Sequence, residues 1–135
     1  MTTTIQWDDS FRVGVEEFDT AHRNLIDMAN ELIEAAIQRK ADAAVADVLD
    51  GLIEYTDSHF MREEALMAET DYPKLTEHRR QHRLLLNDVR LFKSQYIAGD
   101  VNVESLVQFL TDWILDHIHE HDRLYGPHMK SHGIR

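Results

Sequence analysis

Apolar residues recur at steps of three and four along four long stretches of this sequence, a spacing that aligns them on one face of an α-helix. The chain has only five Gly and two Pro, so it offers few sites for the tight turns of a many-stranded protein. The pattern therefore predicts an all-α protein. Because four long helices with short connections pack most simply side by side, we expect an up-down-up-down four-helix bundle.

Capping residues and helix breakers set the expected boundaries of these helices. The first helix should begin at a residue that can cap it, either Asp19 or Thr20, and Asn102 can cap the fourth. The second and third helices are expected over residues 42–69 and 73–97.

The two ends of the chain lack this periodicity. Residues 1–17 contain scattered aromatic and Val side chains, so we expect an ordered arm that lies against the bundle. Gly126-Pro127 is expected to end regular structure and to leave residues 126–135 as a polar, mobile tail. The whole chain, residues 1–135, is expected to be one domain, because its length suffices for a single hydrophobic core.

The formal net charge of −11 excludes several kinds of partner. A surface this acidic repels phosphate backbones and anionic lipids, so nucleic acid and membranes are poor candidates. The chain has no Cys, which rules out disulfides, iron–sulfur clusters and thiolate zinc sites. Neither a signal peptide nor a run of about 20 apolar residues is visible. We therefore expect a cytoplasmic protein. Because the acidic residues are spread along the chain and give an evenly charged surface, we also expect a monomer.

Histidine is the unusual residue, with nine in the chain. Five of them, together with one Glu, fall on the predicted core-facing stripes: His22, His59, Glu63, His78, His82 and His117. A lone His on an apolar stripe is usually a hydrogen-bonded core residue. Six such positions on four helices indicate a shared binding partner, because each uncompensated buried polar group costs several kcal/mol. A metal centre is a common partner that would offset this cost.

The positions of these six residues along their helices predict one shared layer. The second helix carries its His/Glu pair in its last part, and the third carries its His pair near its start, each pair four residues apart on one helix face. His22 lies near the start of the first helix and His117 lies late in the fourth. In an up-down-up-down bundle, all four places are at the same end.

Four further histidines compete as ligands. His121 is four residues after His117 and can point inward, whereas His119 lies about 200° round an ideal helix from His117 and should face solvent. His128 and His132 are also four apart, but they follow Gly-Pro in the expected tail. We expect at most an adventitious surface site from that pair.

The set of donors constrains the metal. Imidazoles and carboxylates suit iron, zinc, copper and nickel. Five imidazoles with one or two carboxylates are too many ligands for one tetrahedral zinc ion, whereas two octahedral ions that share bridging carboxylates would use them all. The residues alone therefore predict a dinuclear site of a first-row metal, with iron favoured and the other metals open.

The order of these residues resembles the ligand pattern of the hemerythrin family, in particular its bacterial single-domain members. The family pattern H…H-x3-E…H-x3-H…H-x4-D is matched by His22, HFMRE at 59–63, HRRQH at 78–82 and HIHEHD at 117–122. The segments VGVEEFDTAH, DWILDHI and DRLYGP also resemble the family, and the likeness covers nearly the whole chain. Since the related myohemerythrin is a known four-helix bundle, the resemblance implies the same fold.

The resemblance also implies two iron ions and a role for each ligand. The implied ligands are His78, His82 and His117 on one iron, His22 and His59 on the other, and Glu63 and Asp122 as bridges. An oxo or hydroxo group would be a third bridge between the irons. The iron with two histidines would keep an open position for molecular oxygen. The resemblance therefore implies reversible oxygen binding for transport, storage or delivery.

Asp122 enters this set only through the resemblance. It lies five residues after His117, about 140° round an ideal helix, so a regular α-helix would not direct both side chains at one centre. We therefore predict a widened turn, such as a π-bulge, between His117 and Asp122.

An apolar pocket beside the centre would slow the entry of protons and the loss of superoxide. The candidate lining residues are Phe60, Trp113, Ile114 and Ile118. Many relatives carry Leu where Ile114 stands. That exchange keeps the pocket apolar but changes its shape, and with it the expected rates of oxygen binding and release.

Two other functions stay open at this point. A di-iron enzyme or a scavenger of peroxide or nitric oxide would need proton donors near the open position, and Glu64 and Tyr55 are the nearest candidates. No further acid lies clearly on the core stripes, so we expect a binding protein rather than an enzyme. A stand-alone oxygen sensor would have to act through a partner, because 135 residues leave no room for a signalling domain.

Overall fold

The computed structural model describes residues 5–38, 40–118 and 123–135. Its regular elements are a short 3₁₀ turn at Asp9–Phe11 and the helices α1 Glu16–Ile37, α2 Asp42–Glu69, α3 Leu75–Ile97, α4 Val103–Asp116 and α5 Arg123–Ser131. Helices α1 and α3 each pack on both α2 and α4, which forms the predicted four-helix bundle. These ranges contain no strand, in agreement with the all-α prediction. None of the helices in the described ranges combines the length and the apolar character needed to cross a bilayer.

Helix α1 begins at Glu16, earlier than the predicted start. Gly14 adopts a left-handed conformation with a φ of 88°, and Val15 is extended, so the chain turns sharply into the helix here. Acidic residues in the first turn favour this start because they lie at the positive end of the helix dipole. Asp19 does not cap the helix. Its carboxylate accepts a hydrogen bond of 2.8 Å from the backbone N–H of Val13 and ties the arm to α1.

The next three helices lie close to their predicted ranges. Helix α2 covers the range that the sequence predicts. At the start of α4, the side chain of Asn102 accepts a hydrogen bond of 2.8 Å from the backbone N–H of Ser105, which confirms the predicted cap. Helix α3 begins at Leu75 instead of Pro73, because the connection from α2 takes more residues than predicted and includes Asp71 with a left-handed φ of 52°.

The C-terminal segment contradicts the prediction of a mobile tail. It forms α5, and Gly126 and Pro127 lie inside this helix. Pro127 is the fifth residue of α5 and lacks the N–H that would bond to the backbone oxygen of Arg123, so it costs the helix one hydrogen bond. Burial offsets this cost, since Tyr125 and Met129 are both 0% exposed.

Buried apolar side chains form two clusters. The major cluster runs through α1 to α4 and contains Leu32, Leu49 and Leu110 among others. The minor cluster joins the arm, the end of α2 and α5, and consists of Val13, Val15, Phe18, Leu66, Met67, Tyr72, Tyr125 and Met129. The described part of the arm therefore packs against the bundle, as predicted.

A partly buried hydrogen bond links α3 to α2: the Tyr96 hydroxyl donates to Asp42 at 2.7 Å. Burial and the Asp42 carboxylate raise the pKa of Tyr96 from 10.0 to about 12. Because the folded pKa is raised, the contact stabilises the fold fully below pH 10 and is lost as the pH rises through about 12.

We expect Tyr96→Phe to lower the free energy of unfolding by about 1 kcal/mol at neutral pH. In urea titrations, an equally steep alkaline loss of stability in this variant would contradict the assignment.

Gly51 lies in the interior of α2, where the sequence suggests no reason for a glycine. The structure shows none either, because a Cβ at this position would meet no atom within 4 Å. Gly in a helix interior costs stability relative to Ala through its larger loss of backbone entropy on folding. We expect Gly51→Ala to raise the free energy of unfolding by about 0.5–1 kcal/mol, measured by urea denaturation.

Candidate metal centre

The structure brings six of the seven sequence-predicted site residues together. His22, His59, Glu63, His78, His82 and His117 are all buried, and none is more than 6% exposed. They lie at one end of the bundle and share a polar layer, as their spacing predicts. The seventh residue, Asp122, lies outside the described residues.

Every helix of the bundle contributes to this layer. Helix α1 carries His22, α2 carries His59 and Glu63, α3 carries His78 and His82, and His117 directly follows α4. The rings of His22 and His59 lie 4.8 Å apart across the contact between α1 and α2. Those of His78 and His82 lie 4.5 Å apart on successive turns of α3. Polar side chains from four helical segments therefore converge in one layer.

The potential ligand atoms form two groups that share Glu63. One group is His22, His59 and Glu63, and the other is Glu63, His78, His82 and His117; within each group the atoms lie within 4.8 Å of one another. The Oε2 atom of Glu63 lies 3.6 Å from Nε2 of His22 and 3.4 Å from Nε2 of His59. The Oε1 atom lies 3.4 Å from Nε2 of His82. One carboxylate therefore separates two sets of imidazoles, which suits a ligand that bridges two cations.

The surroundings of Glu63 favour its ionised form. Burial alone would raise the pKa of this carboxyl group, but the charge of His59 and the polar contacts with His22 and His82 bring it well below its usual range. The Tyr125 hydroxyl also donates a hydrogen bond to Oε2. A fully buried carboxylate is therefore held in its charged state beside several imidazoles.

The hydrogen bonding of two buried atoms in the layer indicates that a cation would fit there. Within the described part of the chain, Nε2 of His59 and Oε1 of Glu63 are buried and form no hydrogen bond. The distances of 3.4 Å between Glu63 and its nearest imidazoles exceed the usual range of N–H···O bonds. Buried polar atoms left in this way cost free energy. A first-row metal ion, which accepts both imidazole and carboxylate ligands, would satisfy them.

Glu64 orients His82 from the outer side of the layer. The Nδ1 atom of His82 lies 2.8 Å from Oε2 of Glu64, and Nε of Arg79 lies 3.3 Å from the other carboxylate oxygen. With Nδ1 donating to this carboxylate, Nε2 carries the lone pair and faces the layer. A carboxylate behind an imidazole is typical of metal-ligating histidines. The sequence suggested Glu64 as a proton donor, and the structure instead places it behind a candidate ligand.

Known proteins share both the sequence pattern and the fold of this chain. The family model described as "Hemerythrin HHE cation binding domain" matches residues 13–129. The chain belongs to the hemerythrin family. Membership implies a non-haem di-iron site, and the buried His/Glu layer is the candidate for it.

Relatives and solved structures agree with this assignment. The chain is 34% identical over 128 residues to Bacteriohemerythrin of Stenotrophomonas maltophilia, which covers 93% of this chain and 82% of that protein. It is 32% identical to Bacteriohemerythrin of Clostridium acetobutylicum, over 88% of this chain and 96% of that one. A crystal structure of wild-type hemerythrin matches it with a TM-score of 0.84 at 29% identity, covering 93% and 97% of the two chains.

Two aromatic residues beside this layer are not predicted as site residues, because they lie outside the apolar stripes of the four predicted helices. Tyr125 contacts Glu63 through its hydroxyl, and its ring centroid lies 5.7 Å from that of His78. Phe18 lies 5.4 Å from the Tyr125 ring and 5.9 Å from the His59 ring. The sequence does carry a signal for Tyr125, since its spacing of four from Met129 continues an apolar stripe past Gly-Pro.

The opposite side of the hemerythrin centre is apolar. All four predicted lining residues are buried in the major cluster: Phe60, Trp113, Ile114 and Ile118. The Phe60 ring stacks face to face on His82, with centroids 3.7 Å apart and planes within 1°. It also lies 5.2 Å from the His117 ring. The polar layer is therefore bounded by the major cluster on one side and by Phe18 and Tyr125 of the minor cluster on the other.

The predicted widened turn begins where α4 ends. His117 and Ile118 have π-helical geometry, which adds a residue to the turn and lets a later position return to the same helix face. This confirms the start of the predicted turn. Its continuation to Asp122 lies outside the described residues, and so do the competing candidates His119 and His121.

Of the remaining two histidines, His128 contributes to the docking of α5 and His132 is exposed. Nε2 of His128 lies 2.9 Å from the backbone oxygen of Thr70, and its ring packs on Tyr72. The His132 ring lies 4.7 Å from that of His128. Neither histidine belongs to the two ligand groups found among the described residues.

Proposed function

We propose that this hemerythrin-family protein binds molecular oxygen reversibly at a di-iron centre, for oxygen transport, storage or delivery. The observation that carries the proposal is the pair of buried ligand groups that share the carboxylate of Glu63. A mononuclear site would not need two imidazole sets on opposite oxygens of one carboxylate. The apolar wall beside the same layer supports a site that excludes water.

The ligands in this proposal are those that the family pattern implies. One iron would be held by His78, His82 and His117, the other by His22 and His59, and both by Glu63 and Asp122. When bound, the two irons supply the electrons for the reversible attachment of oxygen. A ligand set rich in imidazole carries less negative charge than a carboxylate-rich set, so it stabilises highly oxidised iron less. This difference favours reversible binding over oxidation of a substrate.

The side chains around the ligands have separate tasks. Glu64 fixes the ring of His82, and Tyr125 fixes the carboxylate of Glu63, so neither ligand has to be ordered when the metal binds. Phe60 covers the histidines on the side of the major cluster and keeps water from them. A dry wall of this kind limits proton entry and so slows irreversible oxidation.

A groove between α1 and α2 supports a route for oxygen. Its cavity of about 270 Å³ is lined by Phe18, Tyr55, His59 and Arg62, among others. His59 belongs to the ligand group with two histidines, the side on which the proposal leaves a coordination position open. Other cavities reach His78 and His117. Those residues belong to the group with three histidines, which has no open position in the proposal.

The contacts of Glu64, one of the two candidate proton donors, favour a binding protein over an enzyme. The Glu64 carboxylate is engaged by His82 and Arg79. The Tyr55 hydroxyl accepts a hydrogen bond of 3.0 Å from the side-chain amide of Asn24. Glu64 is therefore tied to neighbours on the outer side of the layer, away from the role of a proton donor to bound oxygen. Tyr55 lines the same groove as His59 and keeps its hydroxyl proton, so it is the candidate donor if the protein is an enzyme.

Reversibility is the property to test. The iron-loaded protein is reduced without oxygen, exposed to air and then flushed with argon while its visible spectrum is recorded. We expect an absorption band that appears in air, fades under argon and returns over several cycles. A single irreversible oxidation would exclude a carrier and favour an oxidase or scavenger.

Two histidine variants provide controls for the same experiment. His82→Ala should lose iron and the oxygen-dependent band. His132→Ala, which removes a histidine outside both ligand groups, should keep both. Full iron loading of His82→Ala would contradict the proposed ligand set.

A further inference from the structure

A concave surface site lies where the arm, the start of α1 and α5 meet. Its cavity has a volume of about 660 Å³, within the range of sites that enclose small molecules. Four basic side chains line it, Arg12, Arg23, Lys130 and Arg135, and two acidic ones, Glu16 and Asp19. We call this site the basic cavity.

The charge of the basic cavity is opposite to that of the protein. The chain has 25 acidic and 14 basic residues, yet four basic against two acidic side chains leave the cavity with a formal excess of two positive charges. The Asp19 carboxylate is buried and accepts a hydrogen bond from Val13, so it neutralises little of the cavity surface. Such a local reversal of sign concentrates small anions.

The basic residues of the cavity are available to a ligand. In the described ranges, the Arg and Lys side chains that form ion pairs are Arg62, Arg79 and Lys93, none of which lines this cavity. Cations that have no carboxylate partner among the described residues can bind an external anion without first breaking such a pair.

Two of these cations lie against other parts of the cavity wall. The guanidinium of Arg23 lies over the ring of Trp7, with Cζ 4.7 Å from the ring centroid, which fixes its plane. The Lys130 side chain crosses Gly14 so closely that a Cβ on this residue would collide with its end. Lys130 is on α5 and Gly14 is on the arm, so the cavity depends on the docking of α5. Less side-chain entropy remains to be lost when an anion binds to a guanidinium stacked on a ring, as Arg23 is.

We propose that the basic cavity binds a small phosphate monoester. A phosphate monoester carries about −1.5 to −2 charges at neutral pH, which matches the excess of two positive charges. Guanidinium groups pair with phosphate oxygens through two parallel hydrogen bonds, and three of the four cations are arginines. An extended polyanion such as nucleic acid would meet the acidic surface around the cavity, so a small molecule fits better.

The test is a calorimetric titration of the full chain, as purified, with glycerol 3-phosphate and, in parallel, with uncharged glycerol. We expect saturable heat from the phosphate ester only, and weaker binding as the salt concentration rises. The double variant Arg12→Gln with Lys130→Gln should weaken binding about tenfold or more. The control variant Arg90→Gln with Lys74→Gln removes the same charge from exposed positions outside the cavity and should change the affinity less than about twofold.

Several results would overturn the proposal. They are the absence of saturable heat, an equal loss of affinity in the control variant, or binding of malonate as tight as that of the ester. A change in the visible spectrum of the iron-loaded protein on addition of the ester would place the anion at the metal centre instead. The proposal is independent of oxygen binding, because each activity is measured by its own signal and either can fail alone.

Discussion

Replacing Glu63 by Gln should remove most of the iron from both ligand groups. This carboxylate belongs to both groups, and its two oxygens face different imidazoles. Gln has the same shape and keeps the core filled, so the change isolates the loss of charge and of one donor oxygen. Loss of an outer partner of a ligand already costs about 10- to 100-fold in metal affinity, and loss of a shared ligand should cost more. Iron content after identical loading and desalting measures the effect.

Two other glutamates on α2 provide comparisons: Glu54 is the matched control, and Glu64 tests the partner of a single ligand. Glu54→Gln removes an exposed charge from the same helix and should leave the iron content unchanged. Glu64→Gln removes the partner behind His82 and should give an intermediate loss of affinity, because the ring remains but is less firmly oriented. A folded Glu63→Gln protein that retained its full iron content would refute the shared-ligand assignment.

Gly126→Ala should destabilise the protein by about 2–3 kcal/mol, by forcing α5 away from the arm. A Cβ on Gly126 would fall inside contact distance of the backbone oxygen of Val13, which has no flexible side chain to move aside. The adjacent Tyr125 hydrogen-bonds to Glu63, so the displacement should also loosen the metal centre. Urea denaturation of the iron-loaded protein, together with its iron content, measures both effects.

The same substitution at Gly51 is the control, since it should act in the opposite direction. Both changes add one methyl group to a helix, so their difference reports only the surroundings of each glycine. Tyr125→Phe separates the two consequences at Gly126, because it removes the hydrogen bond to Glu63 without displacing α5. If Gly126→Ala stabilised the protein as Gly51→Ala should, the close packing of the arm on α5 would be disproved.

The bundle and most of its polar layer are predictable because both depend on local spacing. His78 and His82 share a face through their separation of four residues, and Asn102 caps α4 through its own side chain. The start of α1 is less predictable. It depends on the left-handed conformation of Gly14 and on Asp19 bonding backward to the arm, and neither is visible in helical periodicity.

Helix α5 shows why the rest of the site is not predictable from local pattern. Gly126-Pro127 predicts a break, yet the burial of Tyr125 and Met129 against distant segments keeps the chain helical. The hydrogen bond from Tyr125 to Glu63 joins residues 62 positions apart, a distance that no short motif encodes. The π-helical turn at His117 and Ile118 has a related effect, because it shifts the helical periodicity on which a prediction for later positions depends.

The polar layer also divides the core. The major cluster meets it through Phe60, stacked on His82, and the minor cluster meets it through Phe18, beside His59. Apolar contact alone therefore couples the two halves weakly, and a bound cation would be the element that joins them into one cooperative unit. Without it, α5 and the arm residues Val13 and Val15 would open as a sub-global unit, while the far half of the bundle, in which Phe11 is packed, stayed folded. Metal occupancy would then determine whether the protein unfolds in one step or in two.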